Sequence, residues 1–385
     1  MTAYRVGYVA LIGRPNVGKS TLLNHILGQK ISIISNKPQT TRISILGIHT
    51  TEKGQIIFID NPGIHKPLHK LNKRMMNFVY SSLETADLIC LLIDATQKTG
   101  HGDEFVLETL EKVKTPVFLL INKVDIVKKE NILLLIDQYQ KKRNFQEIIP
   151  ISALKGINLD VLEKLILENL PEAEKLYSDD EVSDQSERFL LAEIIREKLL
   201  AHVEQELPWV TAVYIDAIEE REPGDEREKA WDEGEAEEES EEEGEAEGAG
   251  EEEAEAEEEE ESEEPTSAGL TQRAREAGPE AEPETEPRKP KAPAPDEIPP
   301  GVGPRPRERR PVTYIKASVF VEKDNHRKII IGRHGQLIKL IGIEARREIE
   351  EILETKIYLD LNVKVRERWR DSADVLDLIE GQKET

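Results

Sequence analysis

The stretch Gly13-Arg14-Pro15-Asn16-Val17-Gly18-Lys19-Ser20-Thr21 decides the fold of what surrounds it. It matches G-x-x-x-x-G-K-[ST], follows an apolar run at residues 6–12 and opens a helical pattern over residues 19–27. That context separates a phosphate-binding loop from a chance pair of glycines. The glycines let backbone N–H groups turn inward, and the helix N-terminus behind them adds partial positive charge. Lys19 is expected to reach the β- and γ-phosphates of a nucleotide, and the Ser20 hydroxyl to ligate Mg²⁺.

Outward from this loop, apolar runs at residues 6–12, 56–59, 87–93, 117–121 and 148–151 alternate with helical patterns at 19–27, 70–84, 102–112, 131–142 and 159–169. In the last of these Val161, Leu162, Leu165, Ile166 and Leu170 recur at helical spacing. Strands apolar throughout and separated by helices predict an α/β domain with a mostly parallel sheet covered on both faces.

Three more loops at the ends of these runs carry chemistry. Asp60-Asn61-Pro62-Gly63 gives D-x-x-G, with Asp60 placed to hold Mg²⁺ through water and the Gly63 N–H to sense a γ-phosphate. Asn122-Lys123-Val124-Asp125 gives N-K-x-D. Asp125 offers two acceptors to the N1–H and exocyclic amine of guanine, a pairing adenine cannot make, while Asn122 and Lys123 brace the loops around the base. In Ser152-Ala153-Leu154 the Ala153 N–H is placed to meet the guanine carbonyl oxygen. Open α/β sheets bind ligands at the carboxyl ends of their strands, so the four loops together predict a site for GTP or GDP with Mg²⁺. In Gln39-Thr40-Thr41-Arg42 a threonine is expected to complete the Mg²⁺ shell only while γ-phosphate is present. Thr41 is the candidate and Thr40 the alternative, and loss of γ-phosphate would release the loop.

The whole chain, 385 residues, carries a formal charge of −26, but the charge is local. Between residues 219 and 311, 36 acidic residues meet 12 basic ones, a net of −24, so the remaining 292 residues are nearly neutral. The bulk charge therefore says little about partners. Glu/Ala runs followed by Pro-rich, mixed-charge sequence predict a long disordered acidic insert, with a conditional helix that binds something basic as the alternative. A single cysteine, Cys90, excludes an intramolecular disulfide framework and a multi-cysteine zinc site. The N-terminus enters an apolar run almost directly, so neither a signal peptide nor a transit peptide is expected. No run reaches the roughly 20 apolar residues that cross a bilayer, and a reducing, bacterial cytoplasm is expected. No Ser/His/Asp or Cys/His set suggests a metal-free nucleophile.

Domain boundaries follow. Residues 1–175 form the first domain and 176–186 a linker. A second domain begins over 187–218 with an amphipathic helix (187–204) and a strand (209–218), is interrupted by the insert at 219–311 and resumes over 312–372. The resumed part reads as a strand (313–321), a helix (325–331), Gly332-Arg333-His334-Gly335, a helix (336–354) and a strand (357–365), leaving 373–385 as a tail. G-x-x-G alone is a weak signal. Between two helices it lets backbone approach nucleic-acid phosphates, and this order looks like a type II KH domain, an α+β module that clamps about four single-stranded nucleotides. Over residues 323–347 seven basic residues face only Asp324 and Glu344, a local net of +5 that suits phosphate binding. Lys328, Ile331, Gly332, Arg333, His334, Gly335 and Lys339 are the expected RNA contacts. Ile330, Ile331, Leu337, Ile338 and Ile341 line either the base groove or the core beneath it.

These motifs together resemble the TrmE–Era–EngA branch of translation-factor-like GTPases and, within it, the Era family, over about 290 residues, all but the insert. The resemblance implies a GTPase that binds the 3′ end of 16S ribosomal RNA and assists assembly of the small (30S) subunit. It also implies a monomer, with peripheral association at the inner face of the cell membrane. GTP would shift the two domains so that the KH groove opens, and hydrolysis would promote release. A regulatory switch acting on protein partners or at the membrane surface is the competing class. The residues expected to act on the transferring phosphoryl are Asn16, Lys19, Thr41 and Gly63. Relatives use an asparagine at the place of Asn16 to help bind K⁺, which makes K⁺ a second candidate cation, while the plainer role of Asn16 is loop support. Ile64 stands where many GTPases carry a water-orienting glutamine, so intrinsic turnover is expected to be slow. The insert departs from the family, and its Glu-rich tract is either a competitor for the basic KH face or a tolerated solvated loop.

Overall fold

The computed structural model describes residues 4–221 and 312–383. The acidic insert, with the two roles expected for it, lies outside the described residues from residue 222 to 311. The first half is a six-stranded sheet in the order β2-β3-β1-β4-β5-β6. Its strands are β1 (Arg5–Gly13), β2 (Ile45–Thr50), β3 (Gly54–Asp60), β4 (Leu88–Asp94), β5 (Val117–Asn122) and β6 (Glu147–Pro150). β1 pairs in parallel with β3, from Arg5↔Gly54 to Leu11↔Asp60, and with β4, from Val9↔Leu88 to Gly13↔Leu92.

Every residue of β3, β4 and β5 is buried, because helices cover both faces. The period-two alternation of β1 sends Val9 and Leu11 to one core, with Leu22 and Leu23 of α1 (Lys19–Leu27) and Leu162 and Ile166 of α5 (Leu159–Asn169). Ala10 and Ile12 face the other core. There they meet Met76 and Val79 of α2 (Lys70–Thr85), Val106 and Leu110 of α3 (His101–Leu110) and Tyr139 of α4 (Lys129–Gln140). Cys90 is fully buried in β4, and burial pushes its thiol well up, as expected of an inert packing residue.

β2 was not marked by its sequence and is the one antiparallel strand of this sheet. Gly47 in its centre weakens the strand pattern, but a Cβ there would lie 2.6 Å from Leu23 Cδ1, so glycine is what lets α1 pack this close. The linker runs along the outer edge of β2. The Ile48 N–H donates to the Val182 carbonyl at 2.8 Å, and Ser183 Oγ donates to the Leu46 carbonyl at 2.9 Å, which covers an edge that would otherwise be unpaired.

The second half contains α6 (Glu187–His202), the single turn α7 (Leu207–Val210), β7 (Ala212–Arg221), β8 (Val312–Val321), α8 (Asp324–Ile331), α9 (Gln336–Leu353) and β9 (Ile357–Val365). Its sheet runs β7-β8-β9, with β8 parallel to β9 from Thr313↔Ile357 to Val321↔Val365. Ser186 caps α6 by accepting from the Phe189 N–H at 3.2 Å. Ile194, Ile195 and Leu199 of α6 pack on Ile315, Ala317 and Val319 of β8 and on Ile341, Ala345 and Ile349 of α9.

Residues 373–385, expected only as a tail, carry an ordered helix, α10 (Ala373–Gly381). Its Val375, Leu376 and Ile379 follow a helical stripe too short to stand out in sequence, and they join Trp369, Phe320 and Met75 in a separate apolar cluster. Arg74 of α2 pairs with Asp377 at 2.7 Å and Glu380 at 2.9 Å, and Gln382 Oε1 accepts from the Ile215 N–H at 2.7 Å. Among the described residues no helix is long and apolar enough to cross a membrane.

Candidate guanine-nucleotide site and nucleic-acid turn

The loop between β1 and α1 lines a cleft of about 450 Å³ with Pro15, Asn16, Gly18, Lys19, Ser20, Thr21, Thr40, Thr41, Gly63 and Lys123. Gly18 sits at φ +99°, and a Cβ there would lie 2.3 Å from Asn122 Nδ2. At Gly63 a Cβ would lie 2.7 Å from the Pro15 nitrogen. The phosphate loop can therefore touch the base-reading loop on one side and the D-x-x-G loop on the other only with glycine at both contacts.

Lys19 is buried, and its Nζ donates to the Arg14 carbonyl at 3.2 Å. Burial pushes its ammonium down to about 8, against the pull of Asp60, which favours the charged form. Ser20 Oγ donates to Asp60 Oδ2 at 2.7 Å and lies 3.1 Å from Thr41 Oγ1, while Ser32 Oγ donates to the same Oδ2 at 2.9 Å. Asp60 Oδ1 is buried without a partner, and burial raises this carboxyl above its usual range, with Lys19 and the three hydroxyls opposing. The Ser20 and Thr41 hydroxyls beside a carboxylate that keeps one oxygen unpartnered are hard oxygen donors, and next to a phosphate cradle they fit a small divalent cation. Thr40 does not join them: its Oγ1 donates to the Lys37 carbonyl at 2.7 Å and its own carbonyl accepts from Arg196.

At the other end, Asn122 Nδ2 donates to the Val17 carbonyl at 2.8 Å, and Asn122 Oδ1 accepts from the Ala153 N–H at 2.9 Å. Lys123 Nζ bonds the Asn16 carbonyl at 3.1 Å and Asp94 Oδ2 at 2.7 Å, so one side chain ties the phosphate loop to β4 and β5. Asp125 is exposed and, among the described residues, has no partner. Ser152 and Ala153 are buried and Leu154 is exposed beside them.

Three predicted residues point elsewhere. Arg14 pairs with Asp103 of α3 at 3.0 Å. Asn61 is fully buried, donates to the Leu11 and Ile59 carbonyls and accepts from Ser44, which makes it a strand-end brace. Pro62 is buried and does not line the cleft. Asn16, at φ +64°, donates from Nδ2 to the Asn36 carbonyl at 2.5 Å, the loop-supporting contact. Ser32 and Asp94 were missed. Ser32 gave no signal in sequence, but Asp94 ends an apolar strand just as Asp60 does.

In the second half Gly332 (φ +75°) and Gly335 (φ +85°) bracket exposed Arg333 and His334, and α9 starts immediately after them. A side chain at Gly332 would strike Leu337, whereas Gly335 opens to empty space. The turn thus presents bare backbone at the N-terminus of an 18-residue helix, a place suited to a phosphate. Lys328 is exposed and pairs with Asp324 at 3.4 Å, and Lys339 is half-buried. Ile330 and Ile341 belong to the core, while Ile331, Leu337 and Ile338 reach the surface.

A family model described as "50S ribosome-binding GTPase" matches residues 8–123, and one for the KH domain matches residues 310–370. The first half is a P-loop GTPase domain and the second a type II KH domain. The chain is 36% identical over 374 residues to GTPase Era of Ruminiclostridium cellulolyticum, covering 97% of this chain and 96% of that protein. It is similar to the crystal structure of Era in complex with MgGDPNP and nucleotides 1506–1542 of 16S ribosomal RNA, with TM-score 0.72, 35% identity and 98% of both chains covered. A variant of Aquifex aeolicus Era bound to GDP.AlF4- matches at TM-score 0.72 and 35% identity, over 97% of this chain and 98% of that one. The chain belongs to the Era family of GTPases.

Proposed function

We propose that this GTPase binds the 3′ region of 16S ribosomal RNA through its KH half and assists assembly of the small ribosomal subunit. One observation carries the proposal: the guanine-nucleotide cleft and the G-x-x-G turn occur together in a chain that aligns along its length with an Era bound to such RNA. The family description that mentions the 50S particle applies to residues 8–123 alone, whereas the Era likeness spans both halves, so the small subunit is the better assignment.

In the nucleotide site, Ser20, Thr41 and, through water, Asp60 would hold Mg²⁺, which neutralises charge on the β- and γ-phosphates. Lys19 supports the same phosphates from the loop floor, and Gly63 offers its N–H to the γ-phosphate. Asp125 reads the guanine edge, with Asn122 and Lys123 holding the loops and the Ala153 N–H facing the base. Asn16 is a candidate K⁺ ligand, and equal hydrolysis rates in K⁺ and Na⁺ buffers would remove it from that role. Ile64 is 2% exposed and sits in the core, where it can neither orient water nor act as a base, so slow intrinsic turnover is the expected outcome.

Lys328, Ile331, Gly332, Arg333, His334, Gly335 and Lys339 form the RNA contact. A direct test compares binding of a single-stranded oligonucleotide matching the 16S 3′ end with a scrambled one of the same composition. Preference for the matched sequence by at least about tenfold is expected for base recognition. Equal binding to both would reduce the KH half to a non-specific phosphate binder.

A further inference from the structure

Residues 29–44 carry no helix or strand, so the position of Thr41 depends on what its neighbours grip. Arg42, the next residue, is 7% exposed and turns away from the nucleotide cleft. Its Nη1 donates to the Thr211 carbonyl at 2.6 Å and its Nη2 to the Pro208 carbonyl at 2.9 Å, and its guanidinium lies 5.6 Å above the Trp369 ring. Trp369 is fully buried and is itself fixed by an Nε1–H bond to the Val210 carbonyl at 2.8 Å. On the other side of Thr41, the Thr40 carbonyl accepts from Arg196 of α6, which Glu193 holds in place. Slightly upstream, Glu197 of α6 accepts from the Ile34 N–H at 2.9 Å. These grips all come from the KH half.

We propose that Arg42 is a positioning residue for Thr41, and that the Pro208 and Thr211 carbonyls and Trp369 of the KH half thereby complete the metal side of the nucleotide site. The proposal rests on Ser20, Thr41 and Asp60 being that metal site. A planar guanidinium can serve two carbonyls and an aromatic face at once, which a lysine at the same place cannot. With Arg42 anchored, Thr41 Oγ1 stands 3.1 Å from Ser20 Oγ. Because the anchor belongs to the RNA-binding half, a shift of α7 or Trp369 displaces Thr41, and by linkage a γ-phosphate biases the KH half in return.

The test uses the full chain and the release of fluorescent GDP and of a fluorescent non-hydrolysable GTP analogue, each with and without Mg²⁺. Arg42→Lys and Arg42→Met are expected to leave Mg²⁺-free release of both ligands, and GDP release with Mg²⁺, within about twofold of the parent. They should speed Mg²⁺-dependent release of the GTP analogue by about tenfold, the size of one lost hydrogen bond to a charged group. A residue that only fastens two halves together would change GDP and GTP-analogue release alike. Arg196→Lys, acting through the Thr40 carbonyl, should move the same ratio in the same direction, and it stands in should Arg42→Met fail to fold. Thr41→Ala separates the two claims. If Thr41→Ala narrows the Mg²⁺-dependent gap between the ligands while the Arg42 and Arg196 variants leave it intact, the positioning role is overturned. If Thr41→Ala changes nothing, the metal-site assignment fails and takes this proposal with it.

Discussion

The phosphate loop at residues 13–20 and the turn at residues 332–335 both set glycines ahead of a helix N-terminus, yet their surroundings differ. Around the first, Lys19, Asp60 and Asn122 are buried, each fixed by named partners, and burial moves the ionisable groups away from their ordinary values. Around the second, Arg333 and His334 are exposed and a Cβ at Gly335 would meet nothing. A small ligand with fixed charge rewards preorganised, desolvated groups. A single-stranded nucleic acid that brings its own charge and flexibility needs accessible backbone and a positive surround. Substitutions in the first region should accordingly give large, chemically specific losses, and those in the second broader, salt-sensitive ones.

The sharpest way to break that contrast lies at the base end. Asp125→Asn should lower guanine-nucleotide affinity by about 10³-fold or more, because a donor replaces an acceptor the base requires. Xanthine nucleotides should bind in compensation, as titration with XDP would reveal. At the turn, Gly332→Asp together with Gly335→Asp should cost about 100-fold in oligonucleotide affinity through like-charge repulsion. GTP hydrolysis without RNA should stay at its parent rate. Loss of both activities together would mean the two regions are one folding unit rather than two sites.

Ser32→Ala sharpens the comparison, since Ser32 is not itself a proposed metal ligand and reaches the metal site only through its hydrogen bond to Asp60. Removing one donor from the buried Asp60 carboxylate should weaken Mg²⁺-dependent retention of GTP by about tenfold, measured as release rate against Mg²⁺ concentration. The smallest effect is a fraction of a proton. Lys19 sits near 8 when folded and at 10.5 when unfolded, so between those values the unfolded chain binds more protons and stability rises with pH. Phosphates favour the charged lysine, so nucleotide binding near pH 8.5 should take up protons and weaken as pH rises further. Calorimetry in two buffers of different ionisation enthalpy reads that uptake directly, and zero uptake would contradict it.

The parallel sheet and the loops at its strand ends were legible because strict motifs sit where apolar runs stop. The antiparallel β2 was not, since Gly47 dilutes its pattern and its partner is chosen by packing on α1. Arg14 and Asn61 sit inside motifs but serve the scaffold, and motif membership alone cannot tell a ligand from the brace next to it. Ser32 joins Asp60 only through tertiary folding. Thr41 was separated from Thr40 by geometry that the sequence merely suggested. The grip of Arg42 on Pro208 and Thr211 spans more than half the described chain, beyond the reach of any local pattern. Burial, with Arg196 beside it, lowers this guanidinium to about 9, which leaves it charged at neutral pH.

The central claim is that one chain couples a GTP site to an RNA-binding KH module. The most direct measurement is the affinity of the full chain for an oligonucleotide matching the 16S 3′ end, taken with Mg²⁺ and either GDP or a non-hydrolysable GTP analogue. Binding at least about fivefold tighter with the GTP analogue is predicted, the low end of typical coupling between sites. Binding that is absent, or equal with the two nucleotides, would contradict it.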